Sequence, residues 1–366
     1  MISELLCAGA ALALGVHLTS SALSAGRYLR PAAVPPAPLP RMKVSIIRPV
    51  CGLDAYDAET LGSTFAIDWP DYEILFCAAR ETDAAVPLVR RLIAEHPGVP
   101  ARLLIGEDPI SGNPKLNNIA KGCREARGEI LAMVDSNVLL PRDYLVQVMA
   151  RFDAGTGLVT SPPIGIRAEG LWAALECAFL NGFQARWQLA ADQLGLGFAQ
   201  GKNLVWRADV LARAGGPAAL GHDLAEDVAS TKAVRAQGLR VRLTRHAFAQ
   251  PIGTRGFRAV WDRQLRWSRV RRAGFPALFL AEALLGPLPW AAALVIAGAA
   301  AWLLPFLLIW YLAEIALCRT AGWPASGRDI AAMVLRDLLL QPLWLATWLR
   351  RGFEWRGTAM TGDKTT

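Results

Sequence analysis

Apolar and polar positions along this chain fall into blocks of two lengths. Short, almost wholly apolar blocks recur at 44–49, Tyr72–Ala78, Ala101–Ile105 and Ile130–Val134. Runs of this kind, bounded by polar or turn residues, read as strands covered on both faces. Between them, 59–65, 86–95, 117–126 and 144–152 carry helical spacing, with 86–95 amphipathic. Strands alternating with helices predict a parallel α/β sheet. Beyond Val134 the order becomes mixed. A strand at 157–161 stops at Pro162-Pro163, and a long aromatic-rich amphipathic helix follows at 171–191. A glycine-containing, strand-like segment at 198–206 leads to helices at 210–215 and 224–237. The last predicted strand is 241–243, before a strongly basic helix at 257–272.

The long apolar blocks lie at the two ends of the chain. Residues 2–23 are enough to cross a bilayer core at about 1.5 Å per residue. Glu4, and no Lys or Arg, precedes that run, unlike a signal peptide, so an uncleaved anchor is expected. Arg27, Arg30, Arg41 and Lys43 follow it and place the bulk of the chain in the cytoplasm by the positive-inside rule. Pro31, Pro35, Pro36, Pro38 and Pro40 read as an extended spacer. Residues 275–318 leave room for a hairpin of two spans broken at Gly286-Pro-Leu-Pro289, with Glu282 and Glu314 weakening its ends. Residues 330–349 hold Arg336, Asp337 and Pro342, and Arg350, Arg351 and Arg356 follow. These charges favour an interfacial or re-entrant segment and a cytoplasmic C-terminus. The expected organisation is an anchor at 1–26, a linker at 27–42, one soluble domain at 43–273, a hairpin at 274–319 and an interfacial or transmembrane end at 320–366.

Composition supports a membrane protein. The chain is 53% hydrophobic, with mean hydropathy +0.28 and 13 Trp. A net charge of +8 on a Trp-rich chain with apolar ends fits a membrane surface. It carries no zinc finger, RNP-type motif or basic helix repeat, so no nucleic-acid partner is expected. The six cysteines are scattered without a C-x-x-C pair and read as small apolar residues, not as a disulfide frame or zinc site.

Candidate chemistry clusters at strand ends and helix starts. The Ile130–Val134 run ends in Asp135-Ser-Asn137, and ligands in open α/β sheets bind just beyond such ends. Asp83 lies beyond the second strand, Asp227 opens a late helix, and Arg263-Gln-Leu-Arg266-Trp267 lies on the basic helix. Taken alone, Asp135 caps a turn, Asp83 is a solvated loop residue and Glu226-Asp227 complements a helix dipole. Together, their order resembles the D, D, D, (Q/R)xxRW signature of inverting nucleotide-sugar glycosyltransferases of the GT-A fold. Within these the chain is most similar to the ceramide glucosyltransferase family. Ile47-Arg-Pro-Val-Cys-Gly52, Asp68-Trp-Pro-Asp-Tyr-Glu73, Asn113-Pro-Lys-Leu-Asn-Asn118 and Leu224-Ala-Glu-Asp227 carry the same resemblance, which spans about 44–272.

The resemblance implies a Rossmann-like mixed sheet of GT-A type between an N-terminal anchor and C-terminal membrane helices. It implies a UDP-sugar donor, a divalent cation (Mg²⁺ or Mn²⁺) on Asp135, and Asp83, Lys115, Arg263, Arg266 and Trp267 around the nucleotide sugar. Asp227 becomes the general base of inversion, with Glu226, Gly201 and Asn203 at the sugar and acceptor site. The implied acceptor is ceramide, met by a multi-pass protein of the cell (inner) membrane whose catalytic domain is cytoplasmic. Two residues depart from the family pattern. Asn137 stands where a second Asp is common, a weaker ligand for a hard cation, and Arg80 stands where an acidic residue is frequent. Other readings remain open: a hopanoid or other lipid acceptor with UDP-N-acetylglucosamine, a processive polysaccharide synthase, or an inactive lipid-binding scaffold.

Overall fold

The computed structural model describes residues 1–30 and 42–349, with the backbone of Phe353–Trp355 and Thr358–Met360. The proline-bearing spacer at 31–40, Arg41, Arg350, Arg351 and Arg356 lie outside the described residues. In chain order the main strands are β1 (Val44–Val50), β2 (Tyr72–Ala78), β3 (Ala101–Ile105), β4 (Ile130–Val134), β5 (Thr156–Thr160), β6 (Pro163–Glu169), β7 (Asn203–Arg207), β8 (Arg240–Leu243) and β9 (Phe248–Thr254). The chain divides into two compact units. One comprises Ala32–Pro163, Leu194–Pro251 and Glu354–Thr366, the other Met1–Pro31, Ile164–Gln193 and Ile252–Phe353. The single domain expected over 43–273 is therefore interrupted. The helical stretch Leu171–Gln193 and the basic helix Phe257–Gly274 group with the apolar helices, because both bury apolar faces on Gly327–Leu349.

In the sheet unit seven strands run in the order β3-β2-β1-β4-β7-β5-β8. β3, β2, β1 and β4 are parallel, β7 is antiparallel to β4 and β5, and β5 pairs parallel with β8. Alternate residues feed two cores. Ile46, Ile74, Phe76, Ala132 and Val134 face one, and Ile47, Leu75, Leu131 and Met133 face the other. Two covered faces explain why these strands read as unbroken apolar runs. A charged side chain also lies within the layers. Arg48 is fully buried and donates to Thr64 Oγ1 and to the carbonyls of Asp135, Ser136 and Val138. It thereby holds the loop that leaves β4.

Several elements differ from the sequence reading, among them β6, which falls where no strand was expected. The segment expected as a strand from 198 begins pairing only at Asn203. The helix expected from 117 starts at Pro114, because the Asn113 side chain caps the amides of Lys115 and Leu116. A further strand, β9, follows the one expected to be last; it forms a two-stranded ribbon with β6, and its Ala249 also bridges Leu139. Pro251 and Gly253 disguise it, and an edge position tolerates both.

In the helical unit Ile2–Leu29 packs on Leu303–Ala321 through Ala10, Phe306 and Trp310, with Gly9 against the Trp290 ring. Arg27, expected to mark the cytoplasmic flank, is instead buried in an ion pair with Asp192 at 2.7 Å. Leu171–Gln193 is one continuous helical stretch with a π-helical turn at Phe179–Ala185. Among the described residues three helices are long and apolar enough to cross a membrane: Ile2–Leu29, Ala300–Ala321 and Gly327–Leu349. The pair Pro276–Leu284 and Leu288–Ile296, bent by 54°, makes a fourth if it is a single broken span. Of the charges that argued against 330–349 as a span, Arg336 and Asp337 are paired inside the protein. Arg336 bonds both carboxylate oxygens of Glu314, at 2.5 and 2.9 Å, and the carboxylate of Asp337, and all three are buried. Ionisable groups in such helices are tolerated when they pair.

Candidate active site

Four segments of the sheet unit converge at the carboxyl end of β4. Lys115, in the first turn of the Asn113-capped helix, is the hub. Its ammonium donates to Asp135 Oδ1 at 2.6 Å, Glu226 Oε1 at 2.6 Å and the Gly201 carbonyl at 2.7 Å. Three acceptors match its three protons. Burial alone would lower the lysine pKa, but the two carboxylates outweigh it and hold the value above the usual range. Glu226 is fixed from the other side by Asn113 Nδ2 at 2.9 Å. The Asn-Pro-Lys sequence thus caps the helix and delivers both a cation and an amide donor to the acidic pair.

Asp135 has an ammonium on each carboxylate oxygen: Lys115 at 2.6 Å and Lys202 at 2.9 Å. Burial would raise its pKa, yet the two lysines together hold it well below the ordinary carboxylate range. Lys202 also donates to Asn137 Oδ1 at 3.1 Å. The Gly201-Lys202-Asn203 segment is the one whose resemblance implies a lining of the sugar site, but the sequence assigned no role to the Lys202 or Arg48 side chain. A glycine-led segment beside an acid-ended strand was the available signal for Lys202.

Asp227 is different. Half-buried in the first turn of Glu226–Ala236, its oxygens accept only backbone N–H groups, from Gly201 at 3.0 Å and Val228 at 2.8 Å. Burial first, and the adjacent Glu226 second, push its pKa up to about 6. A Cβ at Gly201 would stand 3.1 Å from Glu226 Oε1 and 3.3 Å from Asp227 Oδ2, so the glycine lets the backbone approach both acids closely. The site combines carboxylates of opposite character: one held anionic by two cations, the other poised to exchange a proton near neutrality.

The remaining sequence candidates divide. Asp83, half-exposed, accepts the Gly52 N–H at 2.9 and 3.1 Å and the Ala85 N–H at 2.9 Å, which ties down the Cys51-Gly52 loop. Asn203 is not at the site. It is 1% exposed, opposite Val134 in the β4–β7 ladder, with its Oδ1 accepting the Tyr144 hydroxyl at 2.7 Å. Arg263, Arg266 and Trp267 belong to the helical unit. There Trp267 packs against Ala173, Cys177 and Leu180, and Arg263 pairs with the fully buried Glu176 at 2.7 Å. Removing one partner of a buried pair costs about 3–5 kcal/mol. Arg263→Ala is therefore expected to lower the melting temperature of the detergent-solubilised protein, with Glu176→Gln in the same background restoring part of the loss. Unchanged melting of Arg263→Ala would show that the pair contributes nothing.

The metal implied at Asp135 was tested against the donor set. Asp135 faces two ammonium groups, Asn137 is neutral and shares Lys202, and Glu226 is bound to Lys115 and Asn113. Among the described residues no group of three or more His, Cys, Asp or Glu is placed to hold a metal ion. One carboxylate, one amide and two cations do not fit a divalent ion held by the protein alone.

A mixed sheet in this strand order, with acidic side chains at the carboxyl end of β4 and at a late helix start, defines a class: the GT-A glycosyltransferase fold. A mannosyltransferase from Pyrobaculum calidifontis, solved with GDP-Man and Mn²⁺, has the same fold, with a TM-score of 0.54 at 20% identity over 94% of this chain and 98% of that one. The model of glycosyl transferase family 21 matches residues 5–365, and the chain belongs to that family. Ceramide glucosyltransferase 1 of Caenorhabditis elegans is 30% identical over 243 residues, which are 66% of this chain and 52% of the relative. Ceramide glucosyltransferase of Komagataella phaffii is 38% identical over 99 residues, 26% of this chain and 19% of the relative. The chain spans about half the length, or less, of these curated relatives.

Proposed function

We propose that the protein is a membrane-bound inverting glycosyltransferase that moves glucose from UDP-glucose to the primary hydroxyl of ceramide, giving β-glucosylceramide. The observation that carries this reading is Asp227, a carboxylate with a pKa near neutrality beside a cation-braced anionic cluster at the strand ends. In the reaction the acceptor oxygen attacks the anomeric carbon and the bond from that carbon to the diphosphate oxygen breaks. Asp227 takes the hydroxyl proton, and UDP leaves with the electron pair. Attack opposite the leaving group inverts the anomeric configuration. Lys115 holds the carboxylates of Glu226 and Asp135 in place beside it. Asp83 is assigned to the uridine as a carboxylate acceptor, and Arg266 and Trp267 to donor and acceptor recognition through the family motif.

The names of the relatives support ceramide as acceptor. So do the candidate spans, which keep the protein in the bilayer where a two-chain lipid resides. We place the sheet unit on the cytoplasmic face of the cell membrane, where nucleotide sugars are made. Incubating the purified protein with UDP-glucose and ceramide is expected to yield a monohexosylceramide cleaved by a β-glucosidase. An α-linked product would refute direct inversion. A product formed only with other UDP-sugars or from a total lipid extract would replace the donor or the acceptor. The acid limb of kcat/KM is expected to fall tenfold per pH unit below about pH 6, because the base must be ionised to accept a proton. A flat profile down to pH 4.5 would remove Asp227 from that role.

A further inference from the structure

We propose that Lys202 is the built-in cation of the donor site, seated where a metal would bridge Asp135 and Asn137, and that it lets the site hold a nucleoside diphosphate without a divalent ion. The inference rests on the nucleotide-sugar reading above and adds to it the source of the positive charge.

Lys202 lies between the two polar side chains that end β4, 2.9 Å from Asp135 Oδ2 and 3.1 Å from Asn137 Oδ1. Its main chain is equally fixed. The Lys202 carbonyl accepts the Asp135 N–H at 3.0 Å, and its own N–H donates to Gln200 Oε1 at 2.9 Å, one residue before β7 pairs with β4. The ammonium is therefore held in place by the ladder, as a metal would be by its ligands. With Lys115 on the other oxygen, Asp135 carries two positive charges against its one negative charge. Both oxygens of Asp135 are thereby taken by ammonium groups, Lys115 being shared with Glu226, and no oxygen of Asp135 is left open to a further cation. Asn137 completes the arrangement: a neutral oxygen accepts an ammonium proton well but ligates a hard cation less strongly than a carboxylate does. The Lys202 side chain remains 15% exposed, so a ligand at the strand ends reaches it.

The full-length protein, purified in nanodiscs, is titrated with UDP by calorimetry in EDTA and again in Mn²⁺. Wild type is expected to bind with comparable affinity in both. Lys202→Met is expected to weaken binding about 10- to 100-fold in EDTA, the usual loss for a hydrogen bond to a charged group, while Lys202→Arg retains most of the affinity. Asn137→Asp, which adds the missing carboxylate, is expected to raise direct Mn²⁺ binding read by electron paramagnetic resonance. Cooperative melting of each variant separates lost binding from lost folding, and Lys202→Gln, expected to weaken binding in EDTA likewise, carries the test if Lys202→Met does not fold. Wild-type binding confined to Mn²⁺ overturns this inference alone, as does a folded Lys202→Met that binds like wild type. Absence of UDP binding in both media overturns the nucleotide reading and the inference with it.

Discussion

Replacing Asp227 by Asn is expected to lower kcat about 10³-fold, within the range for a general base, while UDP binding and the melting temperature stay near wild type. The substitution keeps the size of the side chain and one of its two acceptor oxygens. Its amide oxygen still accepts one of the two backbone N–H groups, from Gly201 or Val228, that the carboxylate accepts now. What disappears is proton affinity. Because like-charge repulsion from Glu226 is also relieved, stability is expected to hold or rise slightly. Turnover measured with saturating UDP-glucose and ceramide, beside UDP titration and thermal unfolding, separates these effects. A variant retaining more than about a tenth of wild-type turnover would assign proton removal to another group.

Lys115→Met is expected to do the opposite and strike structure and binding together. The side chain serves Asp135, Glu226 and the Gly201 carbonyl, and its loss leaves carboxylates at a site with one cation fewer. Breaking such a buried pair costs about 3–5 kcal/mol. The pH dependence of the loss has a definite sign. Asp135 is held below its unfolded value of about 3.9, so pairing stabilises the protein above that value and is lost as pH falls. Lys115 is held above its unfolded value of about 10.4, so its contribution is present below that value and is lost only as pH rises beyond it. The stability gap between wild type and variant is thus expected to be flat between about pH 5 and 9 and to narrow in acid. Chemical unfolding at pH 7 and pH 4 measures it. A gap that widens in acid would mean that Asp135 is not stabilised by Lys115.

Much of the sheet was legible because burial on both faces writes itself as apolar runs. β2, β3 and β4 begin and end where the sequence predicts. β9 was not, since Pro251 and Gly253 suit a ribbon edge and break the strand pattern. The division into two units was illegible for a different reason. The helical stretch Leu171–Gln193 is amphipathic whichever partner it meets, and only tertiary contacts show that it packs with Gly327–Leu349. Of the candidate site residues, Asp135, Lys115, Gly201, Glu226 and Asp227 lie together at the carboxyl end of β4. Asn203 does not, because strand alternation turns it into the core. Arg263 looked like an anion ligand in sequence because its partner, Glu176, lies far away along the chain. The same blindness hid the meaning of Glu314 and Arg336, each of which read as a defect in an apolar block until paired.

The three bonds of Lys115 also set an order of events for a chain made from its N-terminus. Lys115 and Asp135 exist early, and their pair is available as soon as β4 joins the sheet. Glu226 is synthesised only after the excursion of Ile164–Gln193 into the other unit and the return through Gly201. Ribosomes add about 5–20 residues per second, so for several seconds the nascent site holds two members and lacks the third. Closure of that last bond marks the moment when the interrupted sheet has been resumed correctly, and a chain stalled inside the helical excursion has no means of making it.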